Sequence, residues 1–263
     1  MENEYYTLIT GASRGIGRAI AFEMALRKHN LILHSLPGED LNTICKTLVS
    51  EYGIIVRSFE IDLTETDGPM KLFREIESNE LHVNILINNA GIGIEGPLES
   101  YSKSDIDNII FLNIRALTLL TTLFIPSLKK TDSYILNISS LGSYIAAPYK
   151  SVYLASKSYI FYFTRALEAE LKGTSVKTCI FAPGAVRTNR NVLERIRKAG
   201  WMSERSSISA EEVARKGIRA MFRGKRVVVP GIISRFIFTI SFIIPEGIIL
   251  AITRNIFRRE FPV

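Results

Sequence analysis

Tyr153 and Lys157 stand four residues apart in Tyr153-Leu154-Ala155-Ser156-Lys157, a spacing that sets both side chains on one face of a helix. An ammonium beside a phenol favours the phenolate and lowers a pKa that is about 10 when unperturbed, toward the range useful for proton transfer. The pair is a candidate acid/base, and the same spacing also arises in plain surface pairings. Near the N-terminus, Thr10-Gly11-Ala12-Ser13-Arg14-Gly15-Ile16-Gly17 joins an apolar run to the helical pattern Arg18-Ala19-Ile20-Ala21. Glycines at a strand-to-helix turn permit a tight bend, let backbone approach a pyrophosphate, and keep helix and strand close, while the helix N-terminus offers free N–H groups to phosphate. A dinucleotide is expected there. The spacing is G-x-x-x-G-x-G rather than G-x-G-x-x-G, so the context after a strand and before a helix carries the reading; a glycine turn alone also serves as a packing device. Ile85-Leu86-Ile87-Asn88-Asn89-Ala90-Gly91 is an apolar run ending in amides and small residues, and Asn88-Asn89 taken alone fits a turn equally well.

In dinucleotide folds an acidic residue about 20 positions on, at the end of the second strand, bonds the ribose 2′-hydroxyl of NAD. Here that stretch reads His34-Ser35-Leu36. A 2′-phosphate meets no carboxylate there, while Arg14 and the Ser35 hydroxyl can bind it, so NADP(H) is expected over NAD(H). Glu39 and Asp40 fall in the turn and the start of the next helix; one of them would take the ribose position if the strand ran longer.

The elements that must position these residues follow from periodicity. Strands are predicted near 5–10, 30–34, 54–60, 83–88, 132–138, 175–181 and 226–229, and helices near 15–28, 40–51, 67–78, 103–128 and 151–172. Ser102 or Ser104 can cap the helix near 103, and Asp105 and Asp107 complement its first turn. Repeated βα units of this kind feed a parallel sheet. The expected fold is α/β, a doubly wound Rossmann-type parallel sheet of about seven strands flanked by helices, over residues 1–230. A helical appendage over 231–263 follows.

With 263 residues, 47% hydrophobic and 22% charged, the chain can bury a full core, which excludes intrinsic disorder. Cys45 and Cys179 are lone residues without zinc-site spacing, as in a reduced, intracellular protein. The acidic start Met1-Glu2-Asn3-Glu4 lacks the basic and apolar regions of an export signal, so a cytoplasmic protein is expected. His29, His34 and His82 are scattered and make no ligand cluster; no metal is expected, and each fits a surface or satisfied residue. Residues 187–263 carry 16 Lys+Arg against 6 Asp+Glu, whereas 1–186 are slightly acidic. This asymmetry suggests that the final third meets membrane headgroups, an acidic partner or an acidic substrate; a solvated basic face is the plain alternative. No nucleic acid partner is expected.

Gly11-x-x-x-Gly15-x-Gly17, Asn88-Asn89-Ala90-Gly91, Asn113, Ser140, Tyr153-x-x-x-Lys157 and Pro183-Gly184 occur in this order. Over about residues 5–190 the chain resembles the short-chain dehydrogenase/reductase family, and Thr10 to Ala21 resembles its NADPH-dependent ketoreductases. The resemblance implies an oxidoreductase moving hydride between NADP(H) and a secondary alcohol or ketone. It implies that Tyr153 is the general acid in reduction and the base in oxidation, and that Lys157 lowers its pKa and bonds the nicotinamide ribose. It further implies that Ser140 polarises the carbonyl, with Ser139 the fallback, and that Asn113 holds a relay water. Cofactor contacts implied are Gly11, Ser13, Arg14, Gly15, Ile16, Gly17, Ser35, Asp62, Leu63, Asn89, Ala90, Gly91, Tyr153, Lys157, Pro183, Gly184, Val186 and Thr188. Residues 189–222 should form one or two helices over the substrate cleft, with Trp201 and Met202 as pocket candidates that core packing explains as well. A homodimer or homotetramer is expected. A non-catalytic dinucleotide-binding regulatory protein is the alternative, since fold alone does not fix function.

The chain departs from that family's pattern after Val227-Val228-Val229-Pro230-Gly231. Two uncharged runs follow, Phe236 to Pro245 and Gly247 to Thr253, each far below the roughly 20 residues that span a bilayer. Such segments need cover from the domain, a second subunit or lipid. Arg235, Arg254, Arg258 and Arg259 suit a membrane surface, because their stems lie along apolar surface while their heads meet anionic lipid. A lipophilic or acyl-chain substrate goes with that reading.

Overall fold

Along each central strand, neighbouring side chains fall on opposite faces, and both sets are apolar, which commits the strands to burial on both sides. In the computed structural model, which describes residues 4–188, 193, 194, 205 and 207–257, β1 (Tyr5–Thr10) sends Leu8 to one face and Ile9 to the other. The same alternation recurs in β2 (Asn30–Ser35), with Ile32 on one side and Leu31 and Leu33 on the other. It recurs again in β4 (His82–Asn88), with Leu86 against Ile85 and Ile87. With β3 (Val56–Glu60), β5 (Ser133–Ile138), β6 (Val176–Phe181) and β9 (Val227–Val228), they build a seven-stranded sheet in the order β3-β2-β1-β4-β5-β6-β9. Every pairing is parallel.

Helices cover both faces. The Ile9 side packs Met24 of α1 (Gly15–Leu26), Leu48 of α2 (Leu41–Tyr52) and Ile218 of a helix at Ala210–Phe222. The Leu8 side packs Leu72 of α3 (Gly68–Ser78), Phe124 of α5 (Leu117–Leu128) and Leu167 of α6 (Ser151–Glu170). Fully burying a side chain of this type contributes about 1.5–3 kcal/mol. Chain order reverses between β1 and β4, where open α/β sheets form a crevice beyond their carboxyl ends.

The single helix expected over 103–128 is three segments. α4 (Lys103–Ile109) starts at Ser102, whose Oγ accepts from the Asp105 amide at 3.1 Å while Asp105 accepts from the Ser102 amide at 2.9 Å, a closed capping box. Ser104 is therefore not the cap. Next comes a π-helical stretch, Ile110–Ala116, and then α5. One helical stretch among the described residues, Lys103–Leu128, is long and apolar enough to cross a membrane, and its Leu117, Leu120, Phe124 and Leu128 are buried in the core.

After β6, β7 (Val186–Arg187) pairs with β8 (Ile208–Ser209), α7 (Ala210–Phe222) follows, and β9 closes the sheet edge. The tail folds as α8 (Ile232–Ile240) and α9 (Glu246–Phe257). Its inner side packs on the body: Ser234 is buried, Phe238 lies 4.4 Å from the Tyr144 ring, and Thr253 Oγ1 donates to Ala146 O at 3.3 Å. Its outer side is open to solvent, with Ile232 83%, Phe236 65% and Ile243 77% exposed.

Candidate active site

Five strands, β1, β2, β4, β5 and β6, bring their carboxyl ends to one cavity of about 390 Å³. Buried amides hold the strand ends in register. Asn88 Nδ2 donates to Asn137 Oδ1 of β5 at 2.9 Å and to Thr121 Oγ1 of α5 at 3.0 Å, and Asn137 Nδ2 donates to Thr164 Oγ1 of α6 at 2.8 Å. Asn88 is thus a core fastener rather than a turn former. Asn89 locks the glycine loop instead, its Nδ2 donating to Thr10 O and Gly11 O, each at 2.9 Å. Thr10 Oγ1 in return accepts the Asn89 and Ala90 amides at 3.0 Å.

The loop itself needs its glycines for two different reasons. Gly11 and Gly15 adopt φ of +65° and +56°, in the left-handed region that favours glycine. Gly17 lies against the loop so closely that a Cβ there would overlap Gly11 O and Asn89 Nδ2. The first turn of α1 carries no acidic residue, and no side chain caps it. Its free N–H groups open on the cavity at Gly15 and Ile16, which suits a pyrophosphate.

At the other end of the cavity, Tyr153 and Lys157 lie together on α6, with Lys157 Nζ 5.9 Å from the Tyr153 ring centroid. Lys157 is buried, and its Nζ donates to Ile138 O at 3.0 Å. Burial pushes its pKa down to about 8. The two serines separate. Ser139 is buried and donates to Lys157 O at 2.8 Å, whereas Ser140 caps the 3-10 turn Leu141–Tyr144, accepts from Gly142 N at 3.2 Å, and is half-buried in the cavity wall.

Asn113 stands in the middle of the π-helical stretch, whose extra residue per turn rotates it inward while α4 and α5 keep their apolar sides on the core. Its Oδ1 accepts from Ile92 N, and its Nδ2 donates to Ile92 O and Ser156 Oγ, all at 2.9 Å. Only Gly91 separates it from Lys157: a Cβ at Gly91 would lie 3.1 Å from Asn113 Oδ1 and 3.3 Å from Lys157 Nζ.

Residues 6–198 match a family model described as short chain dehydrogenase. The chain belongs to the short chain dehydrogenase family. Ketoacyl reductase HetN of Nostoc sp. is 33% identical over 180 residues, 68% of this chain, and the chain spans only 62% of that relative's length. The 11-beta-hydroxysteroid dehydrogenase-like 4A of Arabidopsis thaliana is 31% identical over 260 residues, 96% of this chain and 85% of that one. Among solved structures, a short-chain dehydrogenase from Sphingobium yanoikuyae in complex with NADPH superposes with a TM-score of 0.77 at 26% identity, covering 88% of this chain and 90% of that one.

In this short chain dehydrogenase most of the expected contact residues line the cavity: Gly11, Ser13, Arg14, Gly15, Ile16, Leu63, Asn89, Ala90, Gly91, Pro183, Gly184, Val186 and Thr188, with Ser140, Tyr153 and Lys157. Ser35 does not. It is fully buried and its hydroxyl donates to Leu36 O at 2.9 Å, so it offers nothing to a 2′-phosphate. Nor does Asp62, whose Oδ1 is taken by Thr64 N at 2.8 Å and Thr64 Oγ1 at 2.7 Å. Gly17 acts through packing, and Asn113 stands behind Gly91. Trp201 and Met202 lie outside the described residues.

Six wall residues are not among the expected contacts, His34, Leu36, Ile92, Gly93, Leu112 and Ile138, and Glu39, a ribose candidate only for a longer strand, also lines the wall. β2 stops at Ser35, yet Glu39 still reaches the glycine loop, where Ser13 donates to its carboxylate and Arg14 Nη2 lies 3.2 Å away. The usable signal was Asp40: its Oδ1 accepts Thr43 N at 3.1 Å, so it caps α2 and leaves Glu39 to turn back. His34 is buried, with Nε2 2.8 Å from Ile61 O, and burial pushes its pKa down to about 4.

The Lys157 shift sets two opposite pH trends. Its charged form dominates below about 8, so the rate of any proton transfer that depends on the Lys157 ammonium is expected to be level below pH 7 and to fall about tenfold per pH unit well above 8. The unfolded lysine keeps its proton up to about 10.4, so the unfolded chain holds more protons between those values, and stability from this group rises with pH there. A pH series of initial rates beside urea melts checks both; a rate unchanged up to pH 10 contradicts the first.

Proposed function

We propose that this chain catalyses hydride exchange between NADP(H) and a secondary alcohol or ketone. The observation that carries the reading is one cavity with an uncapped helix N-terminus at one end and Tyr153, Lys157 and Ser140 at the other. The nicotinamide cofactor, when bound, supplies or takes up the hydride. The protein orients the substrate and manages one proton. In reduction, Ser140 Oγ donates a hydrogen bond to the carbonyl oxygen and Tyr153 passes its hydroxyl proton to the same oxygen. The Lys157 ammonium stabilises the phenolate left behind, and Asn113, across Gly91, is placed to hold a water on the path that reprotonates it. Arg14, in the wall at the glycine loop, supports NADP(H) over NAD(H).

The test is a screen of NADPH oxidation by the purified chain over ketones of graded chain length. Turnover that rises with chain length supports this reading with a lipophilic or acyl-chain substrate. Tight NADPH binding without turnover on any carbonyl favours the regulatory alternative.

We assign residues 1–230 as the catalytic unit and 231–263 as an appendage of a cytoplasmic protein. Ile110, Phe111, Tyr159 and Tyr162 are exposed apolar side chains that a second copy would cover in a homodimer or homotetramer. The outer side of α8 and α9, with Ile232, Phe236, Ile243, Ile248 and Ile252 open and Arg235 and Arg254 beside them, fits reversible docking on an anionic membrane. Full-length protein is expected to float with anionic liposomes, to detach partly in high salt as exposed charges are screened, and to keep a salt-resistant remainder. Failure to float with anionic vesicles at low salt removes the membrane reading.

A further inference from the structure

We propose that Glu95, Tyr101 and Lys150 form a clasp that positions the Tyr153 ring for proton transfer, acting from outside the cavity. The inference rests on the reading of Tyr153 as the proton donor. Its physical basis is a short segment, residues 92–96, held at both ends. At one end Asn113 Oδ1 accepts from Ile92 N and Asn113 Nδ2 donates to Ile92 O, each at 2.9 Å. At the other, Gly96 N donates to Tyr149 O at 2.8 Å, and Tyr101 Oη donates to Ile94 O at 2.8 Å and reaches Tyr149 O at 3.4 Å. Lys150 Nζ meets Glu95 Oε1 at 2.9 Å. Between the two anchors Gly93 lies so close to Tyr153 that a Cβ there would be 3.1 Å from its Cδ2 and 3.2 Å from its Cε2.

The clasp also holds backbone in a shape that it would not keep alone. Tyr149 stands at φ +65°, in the left-handed region that a bulky residue rarely occupies, and such outliers persist where the surroundings over-determine them. Its carbonyl is the atom that Gly96 and Tyr101 grip. The next residue, Lys150, flanks the start of α6, where Leu154 N donates to Lys150 O at 2.9 Å, and Tyr153 sits in that first turn. Loosening the clasp therefore frees the ring from two directions, at Gly93 and at the helix start. With Lys150 20% and Glu95 18% exposed, their pair is shielded from the screening that weakens surface ion pairs. Burial, then the Glu95 charge, pushes the pKa of the Tyr101 phenol up, so it stays a donor. None of Glu95, Tyr101, Tyr149 and Lys150 lines the cavity, so they act through Tyr153 and not on the substrate.

Two measurements on the full-length chain test this: steady-state reduction of a ketone that the wild type turns over, and hydrogen exchange at the Gly96 amide without nucleotide. Tyr101→Phe and Lys150→Met are each expected to lower kcat about tenfold, within the cost of a small misplacement of a reacting group. KM and NADPH affinity should change by less than about threefold. Both variants should speed Gly96 exchange at least about tenfold. Lys150→Arg, which can still reach Glu95, is expected to stay within about threefold of wild type in both measurements. The two changes together should cost little more than one, since both residues hold the same turn. Glu95→Gln, which removes only a charge, carries the same expectation where a larger change does not fold. Unchanged kcat or unchanged Gly96 exchange in Tyr101→Phe and Lys150→Met overturns the proposal, and so does an equal loss in Lys150→Arg. Full turnover in Tyr153→Phe, or no turnover of any ketone by the wild type, overturns instead the catalytic reading on which it rests.

Discussion

Replacing Tyr153 by Phe is expected to lower kcat for ketone reduction by about 10²–10⁴-fold, the range that a positioned general acid contributes, with NADPH affinity changed by less than about threefold. The reason lies in how little else can act. Ser139 is locked onto Lys157 O and Asn113 is held by Ile92 and Ser156. Lys157 is anchored on Ile138 O. Ser140 and Tyr153 stand in the cavity wall beside it, and of these two the phenol is the stronger acid. The ring of Tyr153 also packs against the main chain, since a Cβ at Gly93 would lie 3.1 Å from its Cδ2, and phenylalanine keeps that contact. Loss of rate without loss of fold or cofactor binding, measured by steady-state kinetics beside nucleotide titration, is the expected pattern. Full turnover in the variant would remove Tyr153 as the proton donor.

Gly17→Ala is expected to have the larger effect on binding, reducing nucleotide affinity at least about 100-fold and destabilising the fold by about 1–3 kcal/mol, the usual scale of overpacking. The added methyl overlaps Gly11 O and Asn89 Nδ2, and neither is free to retreat. Gly11 belongs to the turn at φ +65°, and Asn89 holds Thr10 O and Gly11 O together. Relief requires α1 to move away from the loop, which withdraws the uncapped N–H groups from the cavity. Thermal melts and nucleotide titration of the variant measure the two parts separately. Wild-type affinity would mean that the loop and α1 are not coupled as described.

The seven strands of the main sheet were legible because their signal is local, apolar, β-branched runs between turn residues, with ends within two residues of expectation, whereas the two-residue strands β7 and β8 carry no such run. Also legible were the glycine loop and the Tyr153–Lys157 pair, whose spacing maps directly onto one helix. The π-helical stretch was not, since an apolar helix with one extra residue has nearly the same periodicity as one without it, and Asn113 marks it only in retrospect. Ser35 failed for a different reason. Its position at the strand end was right, but strand alternation turned its hydroxyl into the core, a distinction of one residue in register. Glu39 was legible only indirectly, through Asp40 as the cap of α2, because a turn of three residues, not the strand, decides where its carboxylate goes.

The strand order also governs when the sheet can form. β1 sits between β2 and β4, paired in register Leu8 to Leu86 as well as Leu8 to Ile32. A growing chain can close β1 on β2 after the first three dozen residues, yet one long edge of β1 stays open until β4 has been made. Non-local parallel pairing of this kind is slow and leaves strand edges exposed meanwhile. The glycine loop, whose clasp depends on Asn89, is therefore assembled only once the first third of the chain has been synthesised, and residues 11–17 spend that interval without the partner that shapes them.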